Sequence, residues 1–199
     1  MNSQNLVKER TGSWIQTYVG IPFYPLDPRA EDINIIDIAH ALSNLCRFAG
    51  HVNQFYSVAQ HSVLVSLHCA PEDALWGLLH DASEAYCVDM PRPIKHSPGL
   101  IPYRKIEQDI MNCVAQRFGL PFQEPESVKQ ADLTLLYTEK RDLLTMHQDW
   151  GWKVEPLPDP IVPLSPEQAR MTFINRFLQL TDMYYEVDLQ SVRKMHKIN

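Results

Sequence analysis

His80 and Asp81 stand side by side, and Glu84 follows one helical turn after His80. Neutral imidazole and carboxylate are the nitrogen and oxygen donors that divalent transition metals accept. On a helical wheel Leu75, Leu78, Leu79 and Ala82 fall on one face, with Gly77, His80, Asp81 and Glu84 on the other. A solvated face would ordinarily carry Lys and Glu there. This one gathers an imidazole, two carboxylates and a glycine that leaves room beside them. An isolated His-Asp dipeptide says little, so the reading depends on donors from neighbouring elements.

Two further residues qualify. His61 lies in Val58-Ala59-Gln60-His61-Ser62-Val63-Leu64-Val65, which is apolar on almost every side and so is expected to be buried. A buried imidazole needs partners for its nitrogens, either within a core or from a metal. Asp132 projects from an apolar stripe, with Val128, Leu135, Leu136 and Leu143 within about 60° of it around the helix. An ionised carboxylate there is costly without a cation or several donors; a metal ion or a buried arginine would each satisfy it.

The elements that must position these residues follow from apolar spacing and proline placement. Pro22, Pro25 and Pro28 keep the first thirty residues extended or looped. Trp14-Ile15-Gln16-Thr17-Tyr18-Val19 suits a short strand, half of a small hairpin. The spacing of Ile35, Ile38, Ala39, Leu42 and Leu45 predicts a helix over 34–47. Further helices are expected over 57–69, 71–86, 103–118 and 126–146. Pro91, Pro93, Pro98 and Pro102 mark a loop, and the segment around Pro156, Pro158, Pro160 and Pro163 is irregular. Ser165-Pro166-Glu167 opens a last helix, with Ser as N-cap and Pro at the first helical position. The expected fold class is mostly α, a single helical bundle over 1–199. It divides into an extended N-terminal segment (1–33), a helical core (34–147), and a Pro-rich loop with a C-terminal helix (148–199).

Composition bounds the function. A chain of 199 residues, 45% hydrophobic, favours one domain with an ordinary core. Its formal charge of −6 argues against binding a nucleic acid polymer, which needs clustered Lys and Arg, and leaves small anions open. No run of about 18 apolar residues occurs, so no membrane span is expected. The polar start Met1-Asn2-Ser3-Gln4-Asn5 shows no signal peptide. Cys46, Cys69, Cys87 and Cys113, dispersed and without a CxxC pair, are expected to be reduced and mostly buried in a cytoplasmic protein. Glu139-Lys140-Arg141-Asp142 reads as a solvated helix face, and Trp14, Trp76, Trp150 and Trp152 as core or interface anchors. His40, His51 and His96 read as structural or surface residues, His68 and His147 as helix-surface or helix-end residues.

The order His61, His80-Asp81, Asp132 resembles the H…HD…D pattern of the HD-domain metal-dependent phosphohydrolases, closest to their bacterial 5′-deoxynucleotidases. Three stretches carry the resemblance: Ser57-Val58-Ala59-Gln60-His61-Ser62, Leu79-His80-Asp81-Ala82-Ser83-Glu84-Ala85 and Val128-Lys129-Gln130-Ala131-Asp132. Between them Asp89-Met90-Pro91-Arg92-Pro93-Ile94-Lys95 resembles that group's D-x-P-x-P-[VI]-K segment. The match covers residues 47–141, about half the chain.

The resemblance implies that His61, His80, Asp81 and Asp132 hold one divalent ion: Co, Mn, Zn, Fe or Ni, or Mg with a polyphosphate substrate. It implies that Glu84 orients the attacking water, that Asp89 gives a proton to the leaving oxygen, and that Lys95 contacts phosphate. Arg47-Phe48 resembles an Arg-Trp pair that touches phosphate and sugar, with a one-residue gap and Phe in place of Trp. His96, the single histidine between Asp81 and Asp132, is too few for the second ion of the cyclic-nucleotide phosphodiesterase branch. The implied function is hydrolysis of nucleotide phosphate esters, with phosphate released from deoxynucleoside monophosphates. Within the class the alternative is release of tripolyphosphate from deoxynucleoside triphosphates; outside it, a non-catalytic nucleotide-sensing module. A homodimer or larger homo-oligomer is also implied.

Overall fold

The computed structural model describes residues 9–145, 148–151 and 153–183. Strands β1 (Ile15–Gln16) and β2 (Pro22–Phe23) pair antiparallel, with Ile15 opposite Phe23. The turn between them uses Gly20 at φ 90°, an angle that glycine adopts without a Cβ penalty. Phe23 is fully buried and stacks on Tyr86 at 4.1 Å between ring centroids, which ties the hairpin to the helices.

Helix α1 (Ile35–Asn44) starts where the Asn34 side chain accepts from the Ile36 N–H. It stops short of the expected Arg47. Leu45 and Cys46 are extended, Cys46 bridges Ser57, and the Arg47 N–H donates to the Tyr56 carbonyl at 2.9 Å. That long-range pairing pulls Arg47 into a separate 3₁₀ turn, Arg47–Gly50. Helix α2 (Val58–His68) is capped by the Ser57 hydroxyl, which accepts from the Gln60 N–H, and it is buried nearly all round. It packs against α1 and against α3 (Ala74–Leu79), α7 (Glu126–Leu143) and α8 (Pro166–Leu180).

The helix expected over 71–86 is not continuous. A 3₁₀ turn at Pro71–Asp73 leads into α3, and residues 80–83 tighten before α4 (Glu84–Cys87). There the Ala82, Glu84 and Ala85 N–H groups reach the carbonyls of Leu79, Asp81 and Ala82. In such i→i−3 geometry residues three apart eclipse, so Glu84 stands over Asp81. Gly77 also plays a different part from the expected one. A Cβ there would meet Cys69 Sγ at 2.9 Å and Ser66 Cα at 3.1 Å, so the glycine permits close packing of α3 on α2.

The expected loop over Pro91 to Pro102 contains a one-turn helix, α5 (Arg92–Lys95), and a 3₁₀ turn, Pro98–Leu100. Helix α6 (Ile101–Phe118) ends at Gly119 in the left-handed conformation. Helix α7 ends at Leu143, and Met146, His147 and Trp152 lie outside the described residues, as does the chain beyond Met183. Helix α8 begins as expected: Ser165 and Gln168 form a reciprocal capping box, with Pro166 at the first position.

The main core is one apolar cluster containing Ile38, Leu42, Val58, Val63, Phe173 and Phe177. A smaller cluster around Val65, Trp76, Val128 and Leu135 lies under α7. The chain is thus mostly α with a short N-terminal hairpin. The four cysteines are free and half-buried, less enclosed than expected. Among the described residues no helix is long and apolar enough to cross a membrane.

Candidate metal centre

His61 is 0% exposed, and both of its ring nitrogens are engaged. Nδ1 lies 2.6 Å from Glu139 Oε1 on α7. Nε2 lies 3.3 Å from His80 Nε2, 3.1 Å from Asp132 Oδ1 and 3.8 Å from Asp81 Oδ2. His80, at the end of α3, directs Nδ1 at the Gly77 carbonyl at 2.8 Å, and its Nε2 lies 3.2 Å from Asp81 Oδ2. A carbonyl and a carboxylate only accept, so each Nδ1 carries the hydrogen. In the neutral rings both Nε2 lone pairs then point at each other and at carboxylate oxygens. Acceptors facing acceptors at this range need either a proton or a metal ion between them.

The spacing fits a metal ion. Donors bound to a single tetrahedral ion at about 2.0–2.2 Å stand roughly 3.3–3.6 Å apart, and octahedral neighbours somewhat closer. The donor atoms of His61, His80 and Asp81 all lie within 4.8 Å of one another, so these three could hold a metal ion. Asp132, expected as the fourth ligand, is not in that group; its Oδ1 approaches the site at His61 Nε2, 3.1 Å away. Each imidazole also has the outer partner typical of a ligating histidine, a carboxylate for His61 and a carbonyl for His80.

Asp132 differs from expectation in one respect. Its neighbours Val128 and Leu135 are buried, but its own side chain is 43% exposed. It stands at the edge of the apolar stripe and opens into a cavity, so solvent as well as the cluster satisfies it.

That cavity, about 1290 Å³, is lined by Arg47, Phe48, Asp81, Asp89, Lys95 and Asp132 together with Trp150 and the apolar Leu136 and Leu144. A polar cavity of about 410 Å³ reaches the cluster from the other side. The two share Asp81, Lys95 and Asp132, and the smaller one adds His80, Arg104 and Glu107.

Several expected site residues are already engaged within the protein. The Arg47 guanidinium donates to Glu139 Oε2 at 3.0 Å, lies 3.6 Å from Asp81 Oδ2 and sits over the Phe48 ring at 5.6 Å. Lys95 Nζ donates to Glu107 Oε1 at 2.6 Å. Glu84 is buried behind the cluster, lines neither cavity, and its Oε2 has no partner. An orphaned oxygen of this kind calls for a donor, and a water is the smallest one that fits.

The backbone around the cavity is strained. Phe48 (φ 55°), Ala49 (φ 51°) and Val88 (φ 64°) are the non-glycine residues with positive φ among those described. Phe48 and Ala49 line the large cavity, and Val88 leads directly into Asp89, which lines it too. For a β-branched residue such an angle is an outlier. The Tyr103 hydroxyl holds it in place, donating to the Val88 carbonyl at 2.7 Å.

Glu139 is the residue that sequence reading missed. Its charged neighbours predict a solvated face, yet it is 0% exposed and hydrogen-bonded to His61 and Arg47. The available signal was spacing: seven residues after Asp132 is two turns of α7, which puts both carboxylates on one face.

No protein-family model matches the sequence. Similarity to named proteins is high over nearly the whole length. The chain is 42% identical over 176 residues to the uncharacterized protein YfdR of Escherichia coli K12, covering 86% of this chain and 97% of YfdR. The chain belongs to the YfdR family. A more distant relative, the uncharacterized protein RCAP_rcc00048 of Rhodobacter capsulatus, is 31% identical over 163 residues, covering 75% of this chain and 83% of its own length. The alignable length in YfdR is enough to contain the hairpin and the helices described above.

In this YfdR-family chain the electrostatics follow from the geometry. Burial opposes charge on His80, but Asp81 beside it outweighs burial and pushes the imidazole up to about 10. Burial and the Arg47 charge oppose protonation of His61, and Glu139 and Asp132 together overcome them, so its pKa is raised. Despite burial, the histidine charges hold Asp132 at about 2 and Asp81 well below the usual carboxylate range. Glu139 is likewise lowered, against burial, by Arg47 and His61. Three anionic carboxylates thus draw positive charge into the centre, and a divalent cation can supply it in place of protons. Burial raises Glu84 and Asp89 instead, with help from neighbouring carboxylates.

Proposed function

We propose that this chain is a metal-dependent hydrolase of nucleotide phosphate esters that releases phosphate from deoxynucleoside monophosphates. The observation that carries the reading is the meeting of His61 Nε2, His80 Nε2 and Asp81 Oδ2, with Asp132 Oδ1 3.1 Å from His61, beside a cavity of nucleotide size. The segment from Asp89 to Lys95, on which the resemblance to 5′-deoxynucleotidases partly rests, forms one wall of that cavity. One divalent ion, of Co, Mn, Zn, Fe or Ni, would be held by the four ligands; Mg would suit a polyphosphate substrate. When bound, it supplies Lewis acidity to a phosphoryl oxygen and lowers the pKa of water.

The protein's own groups carry the remaining steps. Arg47 and Lys95 face the non-bridging oxygens and offset their charge, with Arg suited to a two-point grip. Glu84, whose Oε2 lacks a partner, would orient the water that attacks phosphorus, and the proton of that water would be lost to solvent. As the bond between phosphorus and the nucleoside oxygen breaks, Asp89 gives that oxygen a proton. Burial raises the Asp89 pKa, so it keeps its proton to higher pH than an ordinary aspartate. Phe48 packs against the sugar. No covalent enzyme intermediate is needed. We also place the protein in the cytoplasm, on its free, dispersed cysteines, and as a homodimer or larger assembly, on the family resemblance.

Incubation with dAMP and with dATP in Co²⁺ or Mn²⁺ tests the reading by product. Phosphate released from dAMP supports it, and tripolyphosphate from dATP replaces it with a triphosphohydrolase. Absence of turnover with every divalent ion tried overturns hydrolysis. His80→Ala separates an enzyme from a nucleotide sensor, because only the enzyme loses metal and turnover together.

A further inference from the structure

Glu139 divides its two oxygens between different partners. Oε1 meets His61 Nδ1 at 2.6 Å, and Oε2 accepts from Arg47 Nη2 at 3.0 Å. The residue is 0% exposed, so no solvent competes. The buried Tyr56 hydroxyl faces the same carboxylate without closing a hydrogen bond of normal geometry. Everything polar around Glu139 therefore carries a hydrogen, and only a group that accepts at both ends can serve all of it.

We infer that Glu139 is a positioning residue: it fixes His61 in the tautomer whose Nε2 can bind a metal, and Arg47 is what makes a carboxylate irreplaceable there. The inference rests on the metal reading proposed above. A neutral imidazole has one N–H, so an acceptor at Nδ1 places the hydrogen there and leaves the lone pair on Nε2, aimed at His80 and Asp132. Glutamine has nearly the same volume but one acceptor and one donor. Its oxygen goes to the charged guanidinium, the stronger partner. Its NH₂ then faces His61 Nδ1 and demands a lone pair, which moves the hydrogen to Nε2 and closes the ligand position.

Co²⁺ affinity measured by chelator competition tests this without reference to activity. Glu139→Gln is expected to weaken Co²⁺ binding about 10- to 100-fold, the usual effect of losing an outer partner of a ligating histidine. Combining it with Arg47→Met frees the amide to turn its oxygen toward His61, so the double variant is expected to bind Co²⁺ more tightly than Glu139→Gln alone. Because Arg47 lies 3.6 Å from Asp81, its loss alone favours Co²⁺, so the gain must exceed that of Arg47→Met in the wild type. A purely structural role predicts no such excess, and an equal or smaller gain overturns the inference. Wild-type affinity in a folded Glu139→Gln protein, or a double variant weaker than the single one, overturns the inference. The wild type supplies a test that needs no variant: ¹⁵N shifts of the His61 ring, above its titration, must show Nδ1–H, and an Nε2–H tautomer overturns it. If wild-type protein takes up no Co²⁺, the metal reading fails, while the tautomer measurement still decides the role of Glu139.

Discussion

Helix α2 is enclosed on two sides by different physics. Toward α1 and α8, its Val58, Ala59 and Val63 join Ile38, Leu42, Phe173 and Phe177 in one apolar cluster. Toward α7, Val65 packs on Val128 and Leu135, but beside them His61 meets Glu139 and Asp132 at 2.6 and 3.1 Å. The apolar side gains stability in proportion to area removed from water, and it tolerates swaps that keep volume. The polar side returns little net stability, because desolvating charges offsets most of what pairing them gains. What it fixes is which atom faces which. One helix thus joins a region that holds the fold to a region that holds donor geometry, and substitutions should separate the two properties.

The largest effect is expected on the polar side. Asp81→Asn keeps shape and removes a carboxylate charge from the proposed metal site. Its Co²⁺ affinity should fall by more than the roughly 100-fold typical of an outer partner, and phosphate release from dAMP should disappear, while the metal-free protein stays folded. Chelator competition and circular dichroism read the two halves. On the apolar side, Phe173→Ala leaves a cavity in a fully buried position. It should lose about 3–5 kcal/mol by urea denaturation, with Co²⁺ affinity per folded molecule unchanged. A Phe173→Ala protein that stays stable but loses metal would break the division.

The pH dependence sharpens it. Metal binding needs neutral imidazoles, and in the metal-free protein His80 stands at about 10. Protons therefore compete with the ion, and apparent Co²⁺ affinity should rise with pH between roughly pH 6 and 9, about tenfold per unit from His80 alone and more steeply where His61 also gives up a proton. Asp132 at about 2 and Asp81 below it are already ionised there and add no slope. Affinity that is flat or falls over this range would place the histidines outside the metal shell. The smallest effect belongs to neither side: Ser165→Ala removes the cap of α8 and should cost about 1 kcal/mol of stability, read by denaturation, with no change in metal affinity.

Legibility in the sequence followed the same division. The helices of the apolar side announce themselves by spacing, and the Ser165-Pro166 start of α8 is a local signal that needs no tertiary context. The extended break after α1 was not visible, because Cys46 pairs with Ser57 across a loop that periodicity does not sense. Residues 80–83 keep helical dihedrals at His80 and Ser83, so the change to i→i−3 bonding leaves no mark in composition. The positions of His61, His80 and Asp81 were readable from residue type and order. The exposure of Asp132 was not, since the cavity beside it is built by Arg47, α5 and Trp150 from distant parts of the chain. Glu139 was hidden by its neighbours: Lys140, Arg141 and Asp142 read as a charged face, and only the interval to Asp132 pointed inward.

Phe48, Ala49 and Val88 hold backbone angles that glycine would occupy at ease. Each such angle stores about 1–3 kcal/mol that a relaxed chain would keep. If the proposed hydrolysis depends on these angles, selection for thermal endurance and selection for turnover pull in opposite directions at these three positions. Libraries randomised there and sorted once by melting and once by activity should diverge, with glycine rising at position 88 under the first criterion and falling under the second.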